Sequence, residues 1–112
     1  MTLDLKTLQQ RVQSVLGGVA HPRVGAALAL SEETGEVCDL VLKKECYGKA
    51  VSWETLGGEL ADVLVCVAEL ANAYGIDLGQ ACDAKLDDLA KRVPAWETEF
   101  GPHLEAARKR MD

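Results

Sequence analysis

Leu30, Glu33, Val37 and Leu40 recur at 3-4-3 spacing, and Leu56, Glu59, Val63 and Cys66 repeat that rhythm further along the chain. Steps of three and four residues put side chains on one stripe of an α-helix, the stripe that an amphipathic helix turns towards its neighbours. Each stripe therefore carries a carboxylate where apolar packing is expected. Taking an unpaired carboxylate out of water is costly, and like charges brought together raise each other's pKa, so the pattern asks for a compensating cation. Glu36 follows Glu33 by one turn, and Asp62 follows Glu59 in the same way, so each helix presents a pair of acids on one face.

The rest of the chain suits helices too. Alanine and leucine dominate, Ile76 is the only isoleucine and aromatic residues make up 4%, which favours helix formers over the residues of strands. The expected class is all-α, a four-helix bundle-like subunit. A first helix is predicted over residues 3–16 on the stripe Leu5, Leu8, Val12 and Val15 or Leu16, stopping at Gly17-Gly18. The second is predicted over 22–44, with Pro22 in its first turn, and the third over 54–74, ending at Gly75. A fourth opens with the capping-box pattern Asp77-x-x-Gln80 and runs to residue 93, ended by Pro94; residues 96–112 read as a shorter helix broken at Gly101-Pro102. Residues 45–53 read as a loop, short enough to make the two acid-bearing helices antiparallel neighbours. At 112 residues the chain reads as one domain over 1–112, with its core at about 21–94 and a helical tail over 95–112.

Charge and hydropathy exclude several classes of partner. The net charge of −6 and pI near 4.9 oppose binding to nucleic acid or an anionic membrane surface. The longest apolar stretch, residues 60–73, is interrupted by Asp62, Glu69 and Asn72 and is shorter than the ~20 residues that span a bilayer. No apolar export signal opens the chain, and Cys38, Cys46, Cys66 and Cys82 form no C-x-x-C pair, so reduced thiols and a cytoplasmic location are expected. The third helix is apolar nearly all round, which calls for cover on more than one side and predicts a homo-oligomer, at least a dimer.

Four carboxylates make an all-oxygen donor set, suited to Mg²⁺ or Mn²⁺ and not to Zn²⁺. A di-iron centre needs Glu-x-x-His pairs, which neither His21 nor His103 supplies. On the fourth helix Leu78, Cys82, Lys85, Leu89 and Arg92 form another stripe, so two cations occupy positions where apolar side chains are expected. Either they snorkel from a boundary or neutralise the acids, or they join a bound cation in holding a polyphosphate.

At these residues the chain resembles a known family. Ser31-Glu32-Glu33-Thr34-Gly35-Glu36-Val37, followed by Glu59-Leu60-Ala61-Asp62-Val63-Leu64, is similar to the E-x-x-E…E-x-x-D signature of the MazG-like all-α nucleoside triphosphate pyrophosphohydrolases. Tyr74-Gly75-Ile76-Asp77-Leu78 and Lys85-Leu86…Lys91-Arg92-Val93-Pro94 match later segments of the family, so the resemblance covers about residues 21–94. It implies Mg²⁺-dependent hydrolysis of a nucleoside triphosphate to the monophosphate and pyrophosphate, a house-cleaning activity. Glu33, Glu36, Glu59 and Asp62 stand at the metal positions, and Lys85 and Arg92 at the phosphate positions. Glu36 and Glu32 are both candidates for the general base.

Where relatives carry a nucleotide-recognising asparagine on the fourth helix, Cys82 and Leu89 stand here. His21 is similar in placement to a histidine near the base in dCTP-hydrolysing relatives, though it is also placed to cap the second helix. Trp53 is either a stacking surface for a base or a hydrophobic staple into the third helix. Two other functions fit the same chain: a non-catalytic helical module that binds a nucleotide, and a structural oligomer whose acids pair with Lys85 and Arg92.

Overall fold

A computed structural model describes residues 2–111, among which there are four α-helices, one short 3-10 helix and no strand. The helices are α1 (Leu5–Leu16), α2 (Arg23–Glu45), α3 (Trp53–Tyr74) and α4 (Leu78–Met111), and Gly17–Val19 form the 3-10 turn. The chain divides into two compact units, the first ending at Leu78 and the second starting at Gly79.

In the first unit α3 is the central element, packing against α2 on one side and α1 on another. Its core is built from small side chains: Val12 of α1, Ala26 of α2, and Ala68 and Ala71 of α3 are buried. Alanines at a crossing let two backbones approach closely, which brings side chains on the facing stripes within reach of each other. Of the two candidates for the α1 stripe, Leu16 is half-buried and Val15 exposed.

Local chemistry sets the helix ends. The Asp4 side chain accepts from the Thr7 N–H at 2.7 Å, and Ser52 accepts from the Thr55 N–H at 3.1 Å, which makes Trp53 the first residue of α3. That bond to Thr7 holds the Asp4 carboxyl below its ordinary pKa. Pro22 occupies the cap position of α2, so the helix starts at Arg23, one residue after the predicted start. At the other end of α3, Gly75 takes the left-handed conformation (φ 68°, ψ 30°), and the Ile76 N–H bonds back to the Ala71 carbonyl at 2.9 Å. A clasp follows: Gln9 of α1 donates to Ile76 O at 2.7 Å and Asn72 Oδ1 at 3.0 Å, and its Oε1 accepts from the Leu78 N–H at 2.9 Å.

The C-terminal segment differs from the sequence expectation. Pro94 does not end the fourth helix, and Gly101-Pro102 does not break the tail; α4 runs unbroken through both prolines. A proline removes one intrahelical bond and crowds the carbonyl four residues back, at a cost of about 3 kcal/mol, but it does not remove the bonds on either side. Here the Thr98 hydroxyl donates to Pro94 O at 3.3 Å, and good helix formers, Ala90, Lys91, Arg92, Ala95 and Glu97, flank the proline and help carry the helix across. No helix among the described residues is long and apolar enough to cross a membrane.

Candidate functional site

Both predicted stripes are half-buried as spaced: Leu30, Glu33, Val37 and Leu40 on α2, and Leu56, Glu59, Val63 and Cys66 on α3. Because α2 and α3 pack together, the two acid pairs meet. Carboxylate oxygens of Glu33, Glu59 and Asp62 all lie within 4.8 Å of one another, and so do those of Glu32, Glu33 and Glu36. Glu33 belongs to both sets and joins the two helices. Glu32, which lies off the apolar stripe, is exposed at the rim.

Two carboxylate oxygens in this cluster, Glu33 Oε2 and Glu59 Oε2, are buried without a hydrogen-bond partner among the described residues. A buried oxygen with a negative charge and no donor is costly. The consequence shows in the titration of the group. Burial first, then repulsion from Glu36 and Asp62, pushes the Glu33 carboxyl above its ordinary pKa. Hydrogen bonding to the Glu36 carboxyl, followed by burial and repulsion from Glu36 and Asp62, does the same for Glu59. One turn beyond Asp62, burial and the charges of Glu33, Glu69, Asp62 and Glu32 push the Cys66 thiol up as well, which keeps it protonated and poorly nucleophilic. The donor set is all oxygen, and among the described residues no cation pairs with it and two of its buried acceptors meet no donor. These residues fit a hard divalent cation.

The other predicted residues occupy distinct places. His21, in the turn before α2, is tied to Glu69 of α3: the backbone N–H donates to Glu69 Oε1 at 3.0 Å, and Nδ1 lies 2.7 Å from the same oxygen. Trp53 is exposed at the start of α3, and the Lys44 ammonium sits 5.3 Å from its ring centroid. Lys85 and Arg92 belong to the second unit and are exposed. There Arg92 pairs with Asp88 and lies 5.9 Å from the Trp96 ring centroid, so α4 itself already engages the guanidinium.

Glu69 is a buried partner of His21 that sequence reasoning passed over. It is only 7% exposed, the one buried charged side chain among the described residues. The signal was present, since Glu69 lies seven residues after Asp62 and so shares its face, but it read as an interruption of an apolar run.

Fold and site together define a small all-α protein with a carboxylate cluster suited to a divalent cation. The MazG nucleotide pyrophosphohydrolase domain matches residues 25–96, well over half of the chain, and the chain belongs to that family. No curated protein and no solved structure matched it.

Proposed function

We propose that the protein hydrolyses a nucleoside triphosphate to the nucleoside monophosphate and pyrophosphate, with Mg²⁺ (or Mn²⁺) held by Glu33, Glu36, Glu59 and Asp62. The observation that carries this reading is the pair of buried, unpartnered oxygens of Glu33 and Glu59 inside a cluster of acids, in a chain of the MazG family. A bound divalent cation supplies neutralisation of phosphate charge and acidifies water.

The chain's own residues supply the rest. Glu33 on α2 and Glu59 on α3 each offer a buried oxygen and would hold the cation. Glu36 and the rim residue Glu32 are the two candidate bases for the proton released as water adds to phosphorus and the bond between the α- and β-phosphoryl groups breaks. On α4, Lys85 and Arg92 supply cations for phosphate oxygens. His21 and Trp53 contact the nucleoside portion.

The functional unit is a homodimer or homotetramer of this chain. Support comes from a thin core: no large side chain is fully buried among the described residues, while Leu60 and Leu64 on α3 are 49% and 52% exposed and Leu28 on α2 is 67% exposed. Apolar surface on that scale marks an association face.

Product analysis tests the activity. Each common nucleoside triphosphate is incubated with Mg²⁺, and products are resolved by phosphorus NMR. Monophosphate and pyrophosphate in equal amounts are expected. Orthophosphate with diphosphate, or no turnover across the panel, contradicts the reading.

A further inference from the structure

The imidazole of His21 is held at two of its edges. On one edge Nδ1 lies 2.7 Å from Glu69 Oε1, an oxygen that the His21 backbone N–H also reaches, at 3.0 Å. On the other, the ring lies over Gly25 in the first turn of α2, where a Cβ would come within 3.3 Å of His21 Cβ and 3.4 Å of Cδ2. Glu69 is 7% exposed, so this partner cannot exchange freely with water. The His21 side chain is 54% exposed, and its Nε2 has no hydrogen-bond partner among the described residues.

A carboxylate accepts only, so in the neutral imidazole the proton must sit on Nδ1 and the lone pair on Nε2. An unrestrained ring is free to take the opposite tautomer. The fixed ring thus offers an acceptor at the exposed edge.

Glu69 also connects this ring to the acid cluster. It lies two turns beyond Asp62 on the same face of α3, about 10 Å along the axis. Cys66, between them, feels the charges of Glu33, Glu69 and Asp62 together. A nucleotide whose phosphates lie at the cluster has its sugar and base within that reach.

Resting on the pyrophosphohydrolase reading above, we propose that Glu69 is a positioning residue that sets His21 as a hydrogen-bond acceptor for the nucleoside, so that the exposed edge of the ring selects an N–H or O–H donor on the base or sugar. Gly25 serves the same end by leaving room for the ring.

The test combines nitrogen-15 NMR of the histidines, without substrate and at alkaline pH, with kinetics on the best nucleoside triphosphate and on analogues that each lack one donor. The wild type should show His21 protonated on Nδ1 and should lose about 10-fold in kcat/KM with one particular analogue, the worth of one hydrogen bond. Glu69→Ala should switch the ring to Nε2–H, raise KM more than it lowers kcat, and show no further loss with that analogue. Glu69→Gln keeps an acceptor oxygen and should retain most of the discrimination. If Glu69→Ala does not fold, His21→Ala, at an exposed side chain, should erase the same discrimination. A purely structural Glu69 would instead weaken activity towards parent and analogue alike. An Nε2–H ring in the wild type, indifference of the wild type to every analogue, or full discrimination surviving in Glu69→Ala overturns the proposal while leaving pyrophosphohydrolysis standing. Absence of hydrolysis in the wild type overturns both.

Discussion

Glu33 of α2 and Glu59 of α3 each bury one carboxylate oxygen, Oε2, that accepts from no donor among the described residues, and both residues belong to the same set of acids within 4.8 Å. Two helices could bury apolar side chains at these positions at lower cost. A cluster that repels itself in the absence of a cation persists when function requires it.

Glu59→Gln removes one charge and keeps the shape. It should lower nucleoside triphosphate hydrolysis by at least about 100-fold, the upper end of what is seen for residues supporting a metal site. Steady-state kinetics at saturating Mg²⁺ checks this; activity within a few-fold of wild type would remove Glu59 from the site.

The raised pKa values of Glu33 and Glu59 have a definite sign in stability. The unfolded chain releases these protons at the ordinary glutamate value, about 4.3, and the folded chain only at a higher pH. Between the two, the folded state binds more protons, so metal-free stability should fall as pH rises from that value through the raised ones. Cation binding needs the deprotonated form and should strengthen over the same interval. Denaturant melts with a chelator at successive pH values measure the first effect, and it should vanish when both residues are replaced by glutamine.

How much was legible in the sequence depended on whether a signal was local and periodic. Glu33, Glu36, Glu59 and Asp62 could be read because their helix register is the same at any tertiary placement. Gly75 could be read because α3 needs a left-handed residue at its end. Pro94 misled, because a lost hydrogen bond is a local cost that the flanking turns of α4 outweigh, and nothing at the proline itself reports their strength. Glu69 was missed because its partner is the turn at His21, a contact made only when α3 and the start of α2 come together.

Backbone conformation separates two glycines of α3. Gly57 lies within the helix and Gly75 at its cap, and in both an added Cβ meets no atom within 4 Å. Gly57→Ala should therefore stabilise by about 0.5–1 kcal/mol, whereas Gly75→Ala, at φ 68°, should destabilise by about 1–2 kcal/mol. Chemical denaturation of both variants should give opposite signs.

The clasp around Gln9 should matter more than its place on a surface helix suggests. Gln9→Ala leaves Ile76 O, the Leu78 N–H and Asn72 Oδ1 without their side-chain partner in a partly buried junction. A loss of about 1–3 kcal/mol is expected, read from the denaturation midpoint; a change below a few tenths would mean that water replaces the side chain without cost.

Self-association should follow from the exposed Leu28, Leu60 and Leu64. Light scattering should return at least a dimer at micromolar concentration, and an active, stable particle of 12.0 kDa would contradict it.

The cation site itself is tested most directly by thermal denaturation of the wild type and Glu59→Gln, each with a chelator and with Mg²⁺ or Mn²⁺. A ligand that binds only the folded state raises the melting temperature by mass action. The account predicts a clear rise with metal in the wild type and a smaller one in Glu59→Gln. It also predicts that the metal-free variant is as stable as the wild type or more so. A strongly destabilised variant, with no metal response in either protein, would show that the acids pair with cations of the chain itself and would contradict the assignment.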